Sequence, residues 1–276
     1  MQSRLWKDIL LPGENDDHVW DLFHENSKIG RHVKSLSDEE VLARMHEFHE
    51  SLPFDGYPRI DLPVSSSHLK LSLEQALMKR VSARSMKPSS LSLQDLATLL
   101  RLSYGITRDN KETGFPRPFR VVPSAGAVYP LEIFVHSAHV TDLFPGLYHY
   151  NPAENCLRQI RAEDETNRIS EALIQPEIAF GASLIIFLTA VFERAVFKYE
   201  DRGYRFVMLE AGHVAQNLNL ISNGLGLGSL NIGGYFDRDI DDFLQLDGLT
   251  QSTVYLIAIG KSPENNQSSV NCEVKR

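Results

Sequence analysis

Three side chains between Lys79 and Ser85 are of a kind that grips an anion. Arg80, Ser82 and Arg84 alternate, so an extended backbone turns all three to one side. Two guanidiniums and a hydroxyl converging there suit a phosphate with its two negative charges. The same spacing also suits a solvated basic turn after a helix. A second stretch, Val-Pro-Ser-Ala-Gly-Ala-Val-Tyr-Pro at 122–130, gathers Ser124, Ala125 and Gly126. Small residues there let backbone amides approach a flat or anionic ligand, although a tight turn entering a strand reads the same way.

Glycines recur at 224, 226 and 228, followed by Asn-Ile-Gly-Gly-Tyr-Phe-Asp at 231–237. This run follows a helical pattern, whereas the dinucleotide fingerprint must follow a strand, so a Rossmann site is excluded. Gly233 and Gly234 can still offer N–H groups to a ligand. The fourth candidate is Lys198-Tyr199, in a charged stretch just before a long helical pattern. Both side chains titrate, and both can be tuned into proton-transfer groups. A cationic lysine beside a phenol favours the phenolate, and burial favours a neutral amine; either form is a base. A salt-bridged surface segment is the plain alternative.

These candidates need a scaffold, and the apolar spacing supplies one from about residue 71 onward. Residues 73–80 and 92–104 have helical periodicity, the latter with Leu93, Leu96, Leu99 and Leu100 on one face. Residues 131–137 alternate as a strand, and 146–151 with 157–160 read as a short pair. Helix is expected over 164–174, and a strand covered on both faces over 184–191. A long helix is expected over 205–223, stopped by Gly224, and a last strand over 253–260. Strands and helices mix without a steady βαβ rhythm, which favours an α+β fold.

Residues 1–70 are of a different character. Helices are expected near 20–25 and over 37–49, the second opened by a Ser37/Glu40 capping box. Pro53, Pro58 and Pro63 make 52–67 a loop or linker. The resulting division is an N-terminal helical arm and linker, 1–70, and a second domain, 71–276.

Composition narrows the function. Lys and Arg total 28 against 36 Asp and Glu, a net charge of −8 that disfavours a general nucleic-acid binder. Cys156 and Cys272 form neither a zinc pattern nor a disulfide framework, which fits a reducing, cytoplasmic setting. The longest uncharged stretch, 178–192, is shorter than a membrane span, and the opening Met-Gln-Ser-Arg-Leu-Trp-Lys-Asp, with acidic residues where a signal peptide has its apolar run, is unlike a signal peptide. The histidines lack ligand spacing, so no metal is expected. No Gly-x-Ser-x-Gly elbow is present to supply a hydrolase nucleophile.

In this order the segments resemble the flavin-dependent nitroreductase superfamily, in its SagB/McbC-type (thiazoline/oxazoline) dehydrogenase branch. The resemblance spans about residues 71–261 and rests on Pro-Ser-Ala-Gly-Ala-Val-Tyr-Pro-Leu-Glu at 123–132, Pro-Gly-Leu-Tyr-His-Tyr at 145–150 and Arg-Gly-Tyr-Arg-Phe-Val-Met-Leu-Glu-Ala-Gly-His at 202–213. Phe-His-Glu-Asn-Ser-Lys at 23–28 is similar to the N-terminal portion of the branch. The resemblance implies an α+β, FMN-binding sandwich with a mainly antiparallel central sheet flanked by helices. It implies a homodimer with FMN at the subunit interface. Arg80, Ser82 and Arg84 would hold the FMN phosphate, assisted by Lys261. Ser124, Ala125 and Gly126 would lie against the isoalloxazine ring, and Gly233 and Gly234 near the flavin N5.

Ala211, Gly212 and Ala215 would line a buried dimer helix, and Lys198 and Tyr199 would serve catalysis. Many simple nitroreductases have an acidic residue where Gly233 stands here. That difference and the Lys-Tyr pair favour azoline oxidation to thiazole or oxazole, with oxygen reoxidising the flavin. Partner cyclodehydratases or peptide synthetases would then work beside it. An NAD(P)H-dependent nitroreductase and a flavin-binding scaffold subunit are the alternatives.

Overall fold

Leu184–Val191 forms strand β9, and its neighbours explain why the apolar run is unbroken. Leu184, Ile186, Leu188 and Ala190 enter one hydrophobic core, while Ile185 and Phe187 enter another. A strand buried on both faces presents no polar side. The structure is a computed structural model that describes residues 19–32 and 36–262. Cys272 and the opening at 1–8 lie outside the described residues.

The central sheet joins β1 (Arg59–Asp61), β8 (Cys156–Arg161), β7 (Gly146–Asn151), β5 (Leu131–Ser137), β9, β11 (Gln251–Gly260) and β10 (Gly228–Ile232) in that spatial order. Every neighbouring pair is antiparallel. Two small pairs, β2 (Leu91–Ser92) with β6 (Val140–Thr141) and β3 (Ile106–Arg108) with β4 (Phe119–Arg120), lie outside it. Helices α4 (Leu93–Tyr104) and α8 (Asp201–Leu225) cover one face through Leu96, Leu99, Leu100, Val207, Val214 and Leu218. Helices α5 (Thr166–Glu171), α6 (Glu177–Gly181) and α9 (Asp237–Leu244) cover the other through Ile169, Ile178, Ile240 and Phe243. The fold is the expected α+β sandwich around an antiparallel sheet.

Several element boundaries differ from expectation. The long helix starts at Asp201 and runs to Leu225, because Gly203 and Gly224 sit inside it against packed neighbours. Gly226, at φ +79°, is the left-handed residue that ends it. Of the helix expected over 164–174 only α5, Thr166–Glu171, forms, and a separate short helix, α6, follows Pro176. The uncharged run 178–192 likewise splits between α6 and β9. Within the tract expected as loop, β1 pairs with β8 at the edge of the sheet.

The arm contributes α1 (Val19–Asn26) and α2 (Asp38–Glu47); α3 is Leu73–Lys79. Ser37 and Glu40 form the expected capping box. The buried Arg117 guanidinium donates to the carbonyls of Phe48 (3.0 Å) and His49 (3.3 Å), and Arg120 donates to that of Glu50 (3.1 Å). These bonds satisfy carbonyls of the chain just after α2. Arg205 Nε donates to Ser27 Oγ at 2.8 Å, and Phe23 meets Tyr204 edge-on, so α1 is seated on the start of α8. Among the described residues no helix is long and apolar enough to cross a membrane.

Candidate functional site

The strand register decides which loops meet. Leu131 at the start of β5 pairs with Ala190 near the end of β9, and Gln251 at the start of β11 pairs with Val191. β10 runs toward this same end, where Ile232 pairs with Leu256. The turn at 123–130, helix α7 (Glu193–Tyr199) and the Gly233-Gly234 loop therefore leave the sheet in one direction.

The turn is backbone in an unusual state. Gly126, Ala127 and Tyr129 have φ of +62°, +53° and +45°. Left-handed backbone at two residues other than glycine persists only where surroundings impose it, and such strain concentrates at functional sites. Tyr129 N–H donates to Ser124 Oγ at 3.0 Å, and the Tyr129 hydroxyl accepts from Arg120 N–H at 2.9 Å. A β-carbon on Gly126 would lie 2.5 Å from Tyr199 Oη and 2.9 Å from Lys198 Nζ. The two reactive groups thus stand directly against the exposed Gly126 backbone.

Helix α7 presents that pair. Lys198 Nζ lies 5.5 Å from the centroids of both Phe115 and Tyr199, so two rings flank the lysine head. Burial raises the Tyr199 pKa, so the phenol keeps its proton at neutral pH and the phenolate route is disfavoured. Immediately after Tyr199, Glu200 adopts φ +48° and ψ −141°, and α8 begins. Gly203 makes this sharp joint possible: a β-carbon there would fall 2.8 Å from the Ala195 carbonyl group.

A buried ion pair fixes α7. Arg194, one helical turn before Lys198, lies 2.6 Å from Glu132 Oε1, and both side chains are 3% exposed. His149 Nε2 meets Glu132 Oε2 at 2.7 Å, and Leu52 N–H donates to Oε1 at 3.1 Å. Burial opposes the charge on Glu132, but Arg194 and His149 outweigh it and hold the pKa at about 2. Glu132 follows the strained turn by a few residues, so one carboxylate connects the turn, the Lys198 helix and the arm. Glu132, Arg194 and Phe115 escape a reading of the sequence, because their partners are remote along the chain, and Gly203 does so because its close approach to Ala195 exists only in the folded joint.

The remaining candidates form a second set. Arg80 is half-buried, Ser82 and Arg84 are exposed, and Ala83 between them is buried, although Val81 is exposed as well. Ser82 bridges to Ser229 in parallel sense, so this segment runs along β10. Lys261 pairs with Lys87, and a β-carbon on Gly228 would strike both Ser262 Cβ (2.5 Å) and Ala83 Cβ (2.7 Å). The chain around Lys261 and that around Arg84 therefore converge at Gly228. Neither Arg80 nor Arg84 has an ion-pair partner among the described residues. On β10, Asn231 Oδ1 is buried without a hydrogen-bond partner. Gly233 is exposed and has open space at its β-position, whereas Gly234 packs on Ile174.

The long helix passes under both sets. Glu210 reaches the turn, and Asn219 Oδ1 accepts from Ser229 Oγ at 2.9 Å. Those positions are nine residues apart, about 13.5 Å along a helix. Two unpaired arginines with a hydroxyl, an orphaned carbonyl oxygen and a glycine turn fit a ligand with a phosphate at one end and a flat ring at the other. Of the residues expected to line a dimer helix, Ala211 and Ala215 pack inside this chain, because one helical turn separates them on the inward face. Gly212 alone faces outward, beside exposed Leu209 and His213. Among the described residues no cluster of His, Cys, Asp or Glu is placed to hold a metal ion.

Residues 77–261 match the Nitroreductase family. A protein of Methanocaldococcus jannaschii, provisionally named a nitroreductase, is 34% identical over 195 residues, covering 71% of this chain and 93% of its own. The microcin B17-processing protein McbC of Escherichia coli is 26% identical over 261 residues, covering 82% of this chain and 92% of its own. Among solved structures, a nitroreductase-type protein of Anabaena variabilis superposes with a TM-score of 0.70 at 25% identity; 91% of this chain is covered, which spans 48% of that one. A chain of the E. coli microcin synthetase McbBCD complex, with truncated pro-MccB17 bound, gives 0.58 at 23% identity, covering 84% and 99%.

Proposed function

The chain belongs to the nitroreductase family, and we propose that it is an FMN-dependent dehydrogenase that converts thiazoline or oxazoline rings to thiazoles or oxazoles. The family is one of FMN-binding oxidoreductases, and the unpaired arginines and the glycine turn fit that cofactor. The observation that carries the finer reading is the seating of Lys198 Nζ and Tyr199 Oη against Gly126. A base and a hydrogen-bond donor there face the place where the ring would lie.

Aromatising an azoline removes two hydrogens, and FMN when bound supplies the hydride acceptor. The proton falls to the chain. Tyr199, kept as a phenol by burial, donates a hydrogen bond to orient the substrate ring. Lys198, as the neutral amine, takes the proton and becomes the ammonium, with the Phe115 ring beside it. Arg80, Ser82, Arg84 and Lys261 hold the phosphate, Ser124, Ala125 and Gly126 lie against the ring, and Gly233 and Gly234 offer backbone amides. The likeness to McbC, a microcin-processing protein found in a synthetase complex with a pro-peptide, supports a peptide substrate and a cyclodehydratase or peptide-synthetase partner.

A homodimer joined at the outward face of α8, around Leu209 and Gly212, and a cytoplasmic setting complete the reading. The higher identity to the M. jannaschii protein supports a second one, an NAD(P)H-dependent nitroreductase. The two separate in one assay. FMN-loaded protein is given either an azoline-bearing peptide with oxygen or NADPH with a nitroaromatic. Azole formation without NADPH supports the first, and NADPH consumption with an untouched azoline supports the second.

A further inference from the structure

Glu210 is a buried carboxyl, 3% exposed, that the mechanism above does not use. It stands in the middle of α8 beneath the strained turn. Tyr104 Oη, from α4, donates to its Oε1 at 2.9 Å, and the Ser124 hydroxyl approaches the same carboxyl. Tyr129 faces it from the turn, Arg120 from β4 and Arg194 from α7. Neither arginine pairs with it. The Arg120 guanidinium lies 4.4 and 4.9 Å from the ring centroids of Tyr104 and Tyr129 and donates to the Glu50 carbonyl, while Arg194 is taken by Glu132. Two neutral hydroxyls are thus the direct partners of a carboxyl sealed from water. Burial outweighs the help of Ser124 and Tyr104 and raises the pKa to about 7.

We propose that Glu210 is a positioning residue for the turn at 124–126, and that its proton sets how tightly that turn holds the flavin. The proposal rests on the reading that this turn contacts FMN. The reasoning follows from hydrogen-bond roles. As a carboxylate, Glu210 only accepts, so the Ser124 O–H points to it and Ser124 Oγ stays free to accept the Tyr129 N–H. Glu210, Ser124 and Tyr129 then form an unbroken chain that ties the strained turn to α8. As a neutral acid, Glu210 instead donates to Ser124 Oγ, the Ser124 O–H turns away, and the charge-assisted acceptor that anchors the turn to α8 is lost. The turn is therefore tighter above the Glu210 pKa and looser below it.

The test is FMN affinity and the visible absorption band of bound FMN, both followed against pH in the parent and in Glu210→Gln. Glutamine keeps the shape, donates and accepts at every pH, and mimics the neutral acid. The FMN phosphate also titrates in this range, but equally in both proteins, so it cancels in the ratio of dissociation constants. The expected ratio is near one in acid. It rises to about two- to tenfold as pH climbs through 7, the worth of one hydrogen bond. The parent band should shift with the same midpoint, and that shift should vanish in Glu210→Gln and Ser124→Ala.

Tyr104→Phe serves if Glu210→Gln fails to fold. It removes one bond to the carboxylate, so its midpoint should move to higher pH. A ratio flat across pH, or a midpoint unmoved in Tyr104→Phe, overturns the role of Glu210. Failure of the parent to retain FMN at any pH overturns instead the reading that the turn contacts FMN.

Discussion

Gly126 and Tyr199 are so close that a single added carbon would separate them: a β-carbon on Gly126 falls 2.5 Å from the tyrosine hydroxyl oxygen. Gly126→Ala should displace both Tyr199 and Lys198, and at φ +62° it also costs about 1–2 kcal/mol of backbone strain. Turnover of an azoline substrate should fall by at least about a decade, since small misplacements of catalytic groups cost that much or more. Steady-state kinetics with a matched measurement of bound flavin checks it. Unchanged turnover would separate the turn from the reaction.

Replacing the pair itself divides its labour. Lys198→Ala should lower azole formation by about 10²–10⁴-fold, the usual worth of a general base, with FMN content intact. Tyr199→Phe should cost less, because the raised phenol pKa makes Tyr199 a donor rather than the base. Equal losses in both, or a larger loss in Tyr199→Phe, would assign the proton to the tyrosine.

Arg80→Ala should weaken FMN binding by about one or two decades, because a charge-assisted contact to phosphate is worth about 1.5–3 kcal/mol. Riboflavin, which lacks the phosphate, should bind the parent and the variant alike. An Arg80→Ala protein that retains FMN as tightly as the parent would place the phosphate elsewhere.

Much of the scaffold is legible from residue type and spacing, and little of the site's support is. The strands at 131–137, 146–151 and 184–191 follow from local apolar pattern and stand where expected. β11 begins earlier than expected, since a register shift between Thr253 and Tyr255 disturbs its alternation. Gly224 reads as a helix stop but packs against the Leu69 side chain inside α8, while Gly226 has the left-handed φ. Arg80, Ser82 and Arg84 are visible as an alternating trio. That Gly126 would meet Lys198 is not, because only the fold brings those segments together. Glu210 and Glu132 leave no local period either; their importance lies in partners contributed by other elements.

Glu132 should dominate the acid limb of stability. Its pKa is held at about 2 in the fold against an ordinary 4.5, so its contribution is fully present above 4.5 and is lost as pH falls toward 2. Glu132→Gln leaves Arg194 charged and buried, which costs about 3–5 kcal/mol. Thermal melts of the parent and the variant at neutral pH should show a wide gap that narrows in acid. A gap that widens in acid would contradict the ion pair.

Glu210 has the opposite sign. Its folded pKa, about 7, lies above the ordinary 4.5, so its stabilising proton uptake is complete below 4.5 and is lost as pH rises through 7. The flavin-free parent should lose stability over that window relative to Glu210→Gln. Parallel melting curves would contradict the raised pKa.

The most direct measurement is mass spectrometry of an azoline-bearing peptide incubated with FMN-loaded protein and oxygen, without NAD(P)H. Loss of two hydrogens per ring, matched by oxygen consumption and abolished in Lys198→Ala, is the predicted result. A peptide of unchanged mass, from a protein that retains FMN and instead consumes NADPH in the presence of a nitroaromatic, would contradict it.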